Sequence, residues 1–336
     1  MTARHPPPRP ARRRRRGAAA PGQRGTALLL AMLILTLVAT LAAGMVWQQE
    51  RAIRVEAAER ARSQAGWILA GALDWARLLL REDMRSGSVD HLGEPWAVPL
   101  AEARLSTFLA ADRDATASDG PEAFLSGRIE DLQARYNVLN LITGEGEVAA
   151  VEVAALQRLA DLVGAPSDTA SRIAEGLMAA LGDSDGEAES SAPLLPRRFE
   201  QLVWFGISGD ALQRLAPFVT LLPQATPVNV NTAPREVLTA AVDGLDLGSA
   251  ERLVQRRARR PFQSLDEVQR ELPPGIEIAE SRLAVGSGFF AVTGRLRLDD
   301  RVVEQHSVVE RRGSGAAGEV VTAWSQRRSA IEGAGS

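Results

Sequence analysis

The sequence predicts an α+β fold in which a long N-terminal transmembrane helix packs on a small antiparallel β-sheet, with a large all-α domain inserted between the strands. Three observations lead to this prediction. An uncharged apolar run near the N-terminus continues as a helical pattern with no proline from residue 45 to residue 90. The strand patterns that can build a sheet lie in residues 126–143 and in the stretch after residue 287. Together they suffice for one sheet of ordinary size, so the helical stretch between them is an insertion of domain size.

The chain is a basic head joined to an acidic body. Its 336 residues carry a formal net charge of −3. Residues 1–25 hold eight arginines and no acid, and removing those eight positive charges leaves −11 for the rest. Basic residues before an apolar helix mark the cytoplasmic side of a membrane. The alternative for such a basic arm is RNA binding.

No catalytic site stands out in the sequence. Cysteine is absent, which excludes disulfides and thiol chemistry, and the three histidines, His5, His91 and His306, are far apart in the chain. The chain contains no H-E-x-x-H, G-x-S-x-G or phosphate-binding-loop motif. No pair of carboxylates is singled out for acid–base chemistry. We therefore predict that the protein is not an enzyme.

Residues 26–47 are predicted to cross a membrane. These 22 residues carry no charge, and as a helix they span roughly 33 Å, about the thickness of the hydrocarbon core of a bilayer. A secretory signal has an apolar region of only about 7–15 residues. Beyond Trp47, apolar residues recur every three or four positions, which predicts that the helix continues as an amphipathic rod on a soluble domain. This stripe consists of Ile53, Ala57, Ala61, Ala65, Ile68, Ala72, Trp75 and Leu79.

The residues around Gly25 resemble a prepilin leader. A basic segment ends in glycine, a small polar residue follows, and an unbroken apolar helix begins at once, in the sequence GQRGTALLL. In that family a cytoplasmic-side peptidase cuts after the glycine, so the resemblance implies cleavage between Gly25 and Thr26. The fifth mature residue, glutamate in most members, is Leu30 here. A plain single-pass anchor, or drift in a divergent pilin, remains an alternative.

Local patterns predict the elements of the soluble part. Residues 126–143 are typical of paired strands or of a strand and a turn, and residues 287–312 of a β-hairpin about Asp299 and Asp300. Residues 319–324 predict a further strand, followed by a disordered polar tail. Helical spacing occurs at 149–164 and 167–182, and then in RRFEQLVWFG, SGDALQRLAPFV, TAPREVLTAAV, GSAERLVQRRARRP and SLDEVQREL.

The segment PVNVNTA, residues 227–233, combines two valines with two asparagines in alternation. Val228 and Val230 are expected to face one side of a short strand. Asn229 and Asn231 are expected to hold the neighbouring turns through side-chain hydrogen bonds. Thr232 is expected to cap the helix that follows. These roles are structural.

The sequence is similar to the K-type minor pseudopilins of bacterial type II secretion systems over nearly all of the mature chain. The resemblance is carried by the leader with its glutamate-free helix, by RIEDLQARYNVLNL, by PRRFEQLVWFGIS with LLPQATPVNVNTAPREVL, and by the terminal hairpin. It implies a non-enzymatic subunit at the tip of the pseudopilus, which starts assembly for the export of folded proteins across the outer membrane. The implied partners are the minor pseudopilins of the I and J types, the prepilin peptidase and the inner-membrane secretion platform.

The same resemblance implies a single-pass protein of the inner membrane, with a cytoplasmic N-terminus and a periplasmic C-terminal domain. A type IV pilus-like minor subunit is the neighbouring alternative. The expected domains are a leader at 1–25, a transmembrane part at 26–47, a pilin-like α/β core at 48–144, an inserted helical domain at 145–286, the C-terminal hairpin and strand of the core at 287–325, and a flexible tail at 326–336.

Members of this family bind calcium in the helical domain, near an Asp-x-Asp segment followed by acidic residues. The corresponding residues here are Asp183, Asp185, Glu187 and Glu189. Calcium takes six to eight oxygen ligands, so several carboxylates on a bendable loop suit it. The family's segment is usually longer and followed by a tyrosine, whereas SSAPLL follows here. A solvated acidic loop without calcium is the alternative.

A helix-hairpin-helix DNA-binding membrane protein is the other functional alternative. Residues 228–268 resemble a helix-hairpin-helix element, with a helix, a glycine turn and a second helix, and such hairpins present backbone N–H groups to phosphate. Two features argue against it: Asp246 stands at the centre of the turn GLDLG, and the segment follows the membrane helix on the outward side. We therefore predict no nucleic-acid partner. The arginines on which the alternative depends are Arg252, Arg256, Arg257, Arg259 and Arg260.

Overall fold

The computed structural model describes residues 23–105, 123–182, 193–298 and 301–331. The chain forms two compact units, Met1–Gln64 and Ala65–Ser336. One helix, α1 (Gln23–Ser86), contributes residues to both units. In the first unit its side chains are almost all exposed. Beyond the uncharged apolar run, ion pairs one turn apart, such as Glu50 with Arg54 at 3.2 Å, stabilise the helix.

The second unit combines a sheet with a group of helices. The strands are β1 (Leu100–Arg104), β2 (Ala123–Asp131), β3 (Tyr136–Asn137), β4 (Val219–Thr220), β5 (Val228–Asn229), β6 (Leu283–Ala284), β7 (Phe289–Leu298), β8 (Arg301–Arg312) and β9 (Glu319–Ile331). The further α-helices are α2 (Ala150–Val163), α3 (Thr169–Gly182), α4 (Gly209–Leu215), α5 (Arg235–Ala241), α6 (Leu247–Arg259) and α7 (Leu265–Glu271).

Five strands form the main sheet in the order β1-β2-β7-β8-β9, and every neighbouring pair is antiparallel. β2 and β7 lie side by side, although residues 132–288 separate them in the chain. The helices α2 to α7 lie in that interval, so the predicted α+β fold with a helical insertion is confirmed. The predicted terminal hairpin is confirmed by β7 and β8, while Asp299 and Asp300 of its turn lie outside the described residues.

One face of the sheet packs against the C-terminal part of α1. Two groups of buried apolar side chains form this contact. The first contains Ala65, Leu69, Leu125, Leu296, Leu298 and Val303. The second contains Ala76, Leu80, Trp96, Phe290, Val292, Val309 and Val320. Burial of these apolar side chains holds the helix on the sheet, since each large one, such as Leu69 or Phe290, contributes about 1.5–3 kcal/mol when fully buried.

The apolar stripe predicted on α1 is only partly correct. Ala65 is buried as predicted, but Trp75 is 57% exposed and Ile53 is 58% exposed. Leu69 and Leu80, which were not in the predicted stripe, are buried against the sheet instead. Periodicity identifies an arc about 100° wide on a helix. It does not tell which edge of that arc faces the sheet.

Two further expectations agree with the structure, namely a strand and turn at 126–143 and a short helix in RRFEQLVWFG, and one requires correction. Residues 126–143 contain a strand, β2, followed by short 3-10 turns at Leu132–Ala134 and Val138–Leu141. The segment RRFEQLVWFG forms a 3-10 helix, Phe199–Phe205. The flexible tail predicted at 326–336 begins too early, because β9 continues to Ile331 and pairs with Arg301 at the far end of β8.

The helical insertion has its own core. It is built from apolar residues of α2 to α7 and of the short strands, and Tyr136, Leu156, Ile173, Leu238 and Phe262 are among its fully buried members. The Tyr136 hydroxyl donates to Glu152 Oε2 at 2.9 Å, and the buried position raises the pKa of the phenol far above its usual value. The insertion packs on the second face of the sheet, through a cluster of Leu132, Leu222, Phe289, Ala291 and Val308.

A buried carboxylate joins the insertion to the sheet. Asp131, the last residue of β2, is 5% exposed. Its Oδ1 accepts from Gln133 N at 2.8 Å. Its Oδ2 accepts from the hydroxyls of Thr232 and Ser287, both at 2.6 Å, and from Asn229 Nδ2 at 3.0 Å. Thr232 therefore does not cap α5 as predicted, and Pro234 occupies the cap position.

Asn229 occupies the centre of this network. Its fully buried amide nitrogen lies 3.0 Å from each of three acceptors, namely the carbonyl of Asp90, Oδ2 of Asp131 and Oγ of Ser287. Its Oδ1 accepts from Asn231 N at 2.9 Å. Asn231 in turn bonds both the N–H and the carbonyl of Phe262. The structure thus places both asparagines of PVNVNTA in the roles that the sequence predicted.

A buried ion pair continues the network towards α1. The guanidinium of Arg311 in β8 donates to Asp90 at 2.5 Å and to Asp83 of α1 at 2.6 Å. The Asp90 carboxylate also accepts from Ser287 N at 2.7 Å. Burial raises the pKa of Asp90 and of Asp131 above the ordinary value. The backbones of Gly286 and Ser88 also approach closely here. A Cβ on residue 286 would lie 2.2 Å from the carbonyl oxygen of Ser88, so only glycine fits.

The substitution Asn229→Ala tests the stabilising role of this network. It removes the donor shared by Asp90, Asp131 and Ser287, so we expect the free energy of unfolding to fall by about 3 kcal/mol. Urea denaturation of the soluble part, followed by circular dichroism, measures the change.

The matched control is Gln157→Ala, which removes an exposed bond to Asp161. We expect that change to stay within about 0.5 kcal/mol. Equal effects of the two substitutions would contradict the role given to Asn229.

Candidate functional site

The N-terminal helix supplies the first functional element. Among the described residues, α1 is the one helix long and apolar enough to cross a membrane, and its most apolar part is not buried by the rest of the chain. Large side chains such as Leu33, Leu35 and Trp47 are more than half exposed there. Such exposure is costly in water and favourable in lipid. The element therefore fits a single-pass membrane protein.

The residues of the predicted leader junction lie near the start of this helix. Gly25 has no atom within 4 Å of the position that a Cβ would take, so its surroundings are open. Thr26 follows in the same helix, and Leu30 is 59% exposed. This arrangement is compatible with access by a peptidase, and cleavage at Gly25 stays a prediction.

Small residues form one part of the membrane segment. Ala39, Ala42, Ala43 and Gly44 are all exposed, and the space beside Gly44 is open. In lipid, small side chains allow two helices to approach closely and to pack through van der Waals contacts. This part of α1 is therefore suited to contact with another membrane helix.

An apolar groove of about 690 Å³ lies beside the C-terminal part of α1, in the second unit. It is lined by α1, by the short 3-10 helix Pro95–Ala97 with β1, and by residues of β2, β7 and β8. Trp96 belongs to the lining, and its ring packs edge-on against Phe290, with ring centroids 5.1 Å apart. The exposed residues along its rim include Trp67, Trp75 and Val98.

The sequence does not predict the groove, because the apolar stripe predicted on α1 includes Trp75 as a residue that packs on the soluble domain. Trp67 is 78% exposed and Trp75 is 57% exposed, two turns further along the same helix. Single exposed apolar side chains are common on protein surfaces, whereas two exposed tryptophans beside an apolar groove form a continuous apolar patch. The one available signal was their spacing of eight residues, which places both on one side of a helix.

The predicted calcium ligands lie outside the described residues. They belong to residues 183–192, which follow α3 in the chain, and they are Asp183, Asp185, Glu187 and Glu189. Calcium binding by these residues stays a prediction.

Another acidic cluster is present at the end of α1. Asp83, Asp90 and Glu94 each offer a carboxylate oxygen within 4.8 Å of the others. The guanidinium of Arg311 binds Asp83 and Asp90, and Glu94 accepts from the indole N–H of Trp96 at 2.7 Å. Arg311 already serves as the counter-ion of this cluster, so its geometry is explained without a metal.

The turn between α5 and α6 does not present free N–H groups as a DNA-binding hairpin does. Asp246 accepts hydrogen bonds from Gly248 N at 2.8 Å and from Ser249 N at 3.0 Å, so its carboxylate occupies the place of a phosphate. Arg257 points inward to the carbonyl of Val230, and its burial lowers the pKa of the guanidinium to about 10. These contacts argue against the nucleic-acid alternative.

Two of the other arginines at α6 also have partners within the protein. Arg256 pairs with Glu271 at 3.3 Å and lies over the ring of Phe262 at 5.0 Å. Arg252 donates to Ser249 Oγ at 2.7 Å. Arg259 and Arg260 are exposed at the end of the helix. The basic face is therefore a structural and solvated surface.

Comparisons with known proteins agree on one family. Two family models described as "Type II secretion system (T2SS), protein K" match residues 134–224 and 228–286, which lie in the helical insertion. The chain is 33% identical to the type II secretion system protein K of Pseudomonas aeruginosa, over 83% of this chain and 86% of that protein. It is 27% identical to the protein K of Pectobacterium carotovorum, over 87% of this chain and 93% of that protein.

A solved structure shows the same fold. It is a crystal structure of the GspK-GspI-GspJ complex from the type 2 secretion system of enterotoxigenic Escherichia coli. The two folds align with a TM-score of 0.60 at 20% identity, over 81% of this chain and 98% of the matched chain. The relative from Pseudomonas aeruginosa is more than 30% identical over more than two thirds of this chain, and the chain therefore belongs to the type II secretion system protein K family.

Proposed function

We propose that the chain is a non-enzymatic minor pseudopilin at the tip of the type II secretion pseudopilus, where it starts assembly with other minor pseudopilins for export of folded proteins across the outer membrane. One observation supports the proposal most directly. A helix long enough to cross a membrane continues onto a pilin-like sheet, and a large helical insertion lies between two strands of that sheet. Family membership favours type II secretion over the type IV pilus-like alternative.

The membrane helix gives the subunit its place and its orientation. The eight arginines before Thr26 keep the N-terminus in the cytoplasm, and the second unit lies in the periplasm. The prepilin peptidase removes residues 1–25, and the inner-membrane secretion platform then lifts the subunit. The helix is kept, so that its apolar surface packs with partner helices as it leaves the lipid.

Two features suit the tip position. Leu30 stands where most pilins carry a glutamate that neutralises the N-terminus of an adjacent subunit, and a terminal subunit has no need of that pairing. The helical insertion makes the head larger than the sheet alone, because residues 132–288 lie between two adjacent strands. A head of this size would obstruct the addition of another subunit above it.

The minor pseudopilins of the I and J types are the proposed partners. The related structure is a complex of a GspK with GspI and GspJ. In this chain the apolar groove beside α1 offers the type of surface that a partner covers, since Trp67 and Trp75 would be withdrawn from water. Partner contact at this groove explains the two exposed tryptophans.

The substitution Gly25→Val tests the leader. A branched side chain at the cleavage position would obstruct the peptidase, so we expect the 25-residue leader to remain on the chain in cells that contain the peptidase. Mass spectrometry of the purified protein measures the N-terminus.

The control is Gly22→Val, three residues upstream, which should leave processing intact. A wild-type protein that starts at Met1, or that is cut beyond Trp47, would refute the leader assignment.

Partner binding is tested with a soluble part that starts near Arg51. We expect it to form a complex with the soluble parts of the I and J pseudopilins at micromolar concentration. The double substitution Trp67→Ala and Trp75→Ala should weaken the complex about tenfold or more, because it removes two aromatic anchors. Size-exclusion chromatography with light scattering and titration calorimetry measure the effect.

The matched control is Trp204→Ala, which removes a tryptophan that is 47% exposed in the helical insertion. We expect it to leave the affinity unchanged. Absence of any complex with the wild-type chain would contradict the partner assignment, and an equal loss in the control would contradict the role of the groove.

Calcium binding by Asp183, Asp185, Glu187 and Glu189 is the last part of the proposal. A ligand that binds the folded state stabilises it by about 2.7 kcal/mol at a hundredfold excess over its Kd. We expect the melting temperature to rise by several degrees with calcium and to fall with a chelator. In the variant Asp183→Asn with Asp185→Asn the shift should disappear, and an unchanged melting temperature in the wild type would remove this site.

A further inference from the structure

A cleft of about 310 Å³ lies between the second face of the sheet and the helical insertion. We call it the arginine cleft and define it by Arg135, Arg197, Arg198, Arg328 and Trp324. The first three residues belong to the insertion, and the last two belong to β9. The cleft lies on the opposite side of the sheet from α1, so it is separate from the apolar groove.

Positive charge is in excess in the arginine cleft. Its lining contains four arginines and two glutamates, Glu200 and Glu304. His306 also lines it, and burial lowers the pKa of its imidazole, so this ring is neutral at neutral pH. The mature chain is acidic as a whole, with a net charge of −11 once the leader arginines are removed. Because the rest of the chain repels anions, an anionic ligand would be attracted to this cleft and not to the protein surface as a whole.

Two of the four arginines have partners inside the chain. Arg198 donates to Gln326 Oε1 at 2.8 Å, across the cleft, and Arg135 lies 3.5 Å from Glu130. The guanidinium groups of Arg197 and Arg328 make no ion pair or hydrogen bond within residues 23–105, 123–182, 193–298 and 301–331. Both residues are exposed. They are therefore available to a ligand.

The position of Arg197 is fixed by its backbone. The N–H groups of Arg197 and Arg198 donate to Gln201 Oε1 at 2.7 and 3.0 Å. This side-chain bond holds the entry to the 3-10 helix Phe199–Phe205. The guanidinium of Arg197 therefore extends from an anchored backbone at the edge of the cleft.

The rest of the cleft suits a peptide better than a small inorganic anion. Trp324 packs against His306, with ring centroids 5.5 Å apart, and Val219 and Val308 add apolar surface. β9 is an edge strand of the main sheet, and its cleft-facing residues Trp324 and Arg328 alternate along it. An extended peptide beside such a strand can form hydrogen bonds with its main-chain groups while its side chains contact those of the cleft.

We propose that the arginine cleft binds an extended acidic segment of a partner protein, whose internal carboxylates pair with Arg197 and Arg328 and whose apolar atoms pack on Trp324. Arginine binds carboxylates through two parallel N–H···O bonds, which gives the site directional selectivity. The proposal is independent of the tip position and of the groove beside α1.

The test uses the full chain in nonionic detergent and a fluorescein-labelled, C-terminally amidated hexapeptide of alternating glutamate and valine. Fluorescence anisotropy measures its affinity. The double substitution Arg197→Gln with Arg328→Gln should weaken binding about tenfold or more. Trp324→Leu should weaken it about fivefold, with the circular dichroism spectrum unchanged.

The matched control removes the same charge elsewhere. Arg259→Gln with Arg260→Gln, at the exposed end of α6, should change the affinity by less than about twofold. A peptide with lysine in place of glutamate should not bind. Equal losses in the two double variants, or no saturable binding by the wild type, would overturn the proposal.

Two competitors test the class of ligand. Inorganic phosphate at the same concentration should not displace the peptide, and displacement as effective as that by unlabelled peptide would overturn recognition of a peptide. A neutral peptide with a free C-terminal carboxylate should bind more weakly than the acidic amidated one. Equal binding would overturn the claim that internal carboxylates are recognised.

Discussion

The buried carboxylate of Asp131 is the constraint on which the rest of the second unit depends. A buried carboxylate is costly unless hydrogen-bond donors surround it. Here the donors come from Gln133 at the start of the helical insertion, from Asn229 and Thr232 in its middle, and from Ser287 at its end. Displacement of the insertion relative to the sheet would separate the carboxylate from the donors of Asn229, Thr232 and Ser287. Together with the apolar cluster on the second face of the sheet, this network fixes the place of a domain-sized insertion.

The sheet separates two kinds of surface. One face is closed by α1, through apolar contacts that leave a groove at the β1 side, and the other face carries the insertion, with the arginine cleft beside β9. Arg311 of β8 binds Asp83 of α1 and Asp90, and Asp90 in turn accepts from Ser287 N at the end of the insertion. For a subunit that acts by contact with other proteins, this rigid arrangement keeps both surfaces in defined positions.

The elements predicted from the sequence agree best with the structure where interactions between neighbouring residues determine the local conformation. The terminal hairpin and the helices α2 and α3 follow from periodicity, and PVNVNTA follows from the capacity of asparagine side chains to bind turns. Errors occur where a local rule competes with a distant partner. Thr232 has the residue type of a helix cap, yet its hydroxyl binds Asp131, which is 101 residues away in the chain. The end of β9 pairs with β8 although its polar composition is typical of a tail.

The sequence by itself determined the membrane-length helix, the α+β class, the helical insertion and the family resemblance, because apolar length, periodicity and short motifs are properties of neighbouring residues. Only the tertiary structure decided which side of α1 faces the sheet, that Trp67 and Trp75 border an open groove, and that Asp131 accepts bonds from Asn229 and Ser287. It also placed Arg197 and Arg328 in one cleft. These features require contacts between residues more than fifty positions apart, and no local pattern specifies such contacts.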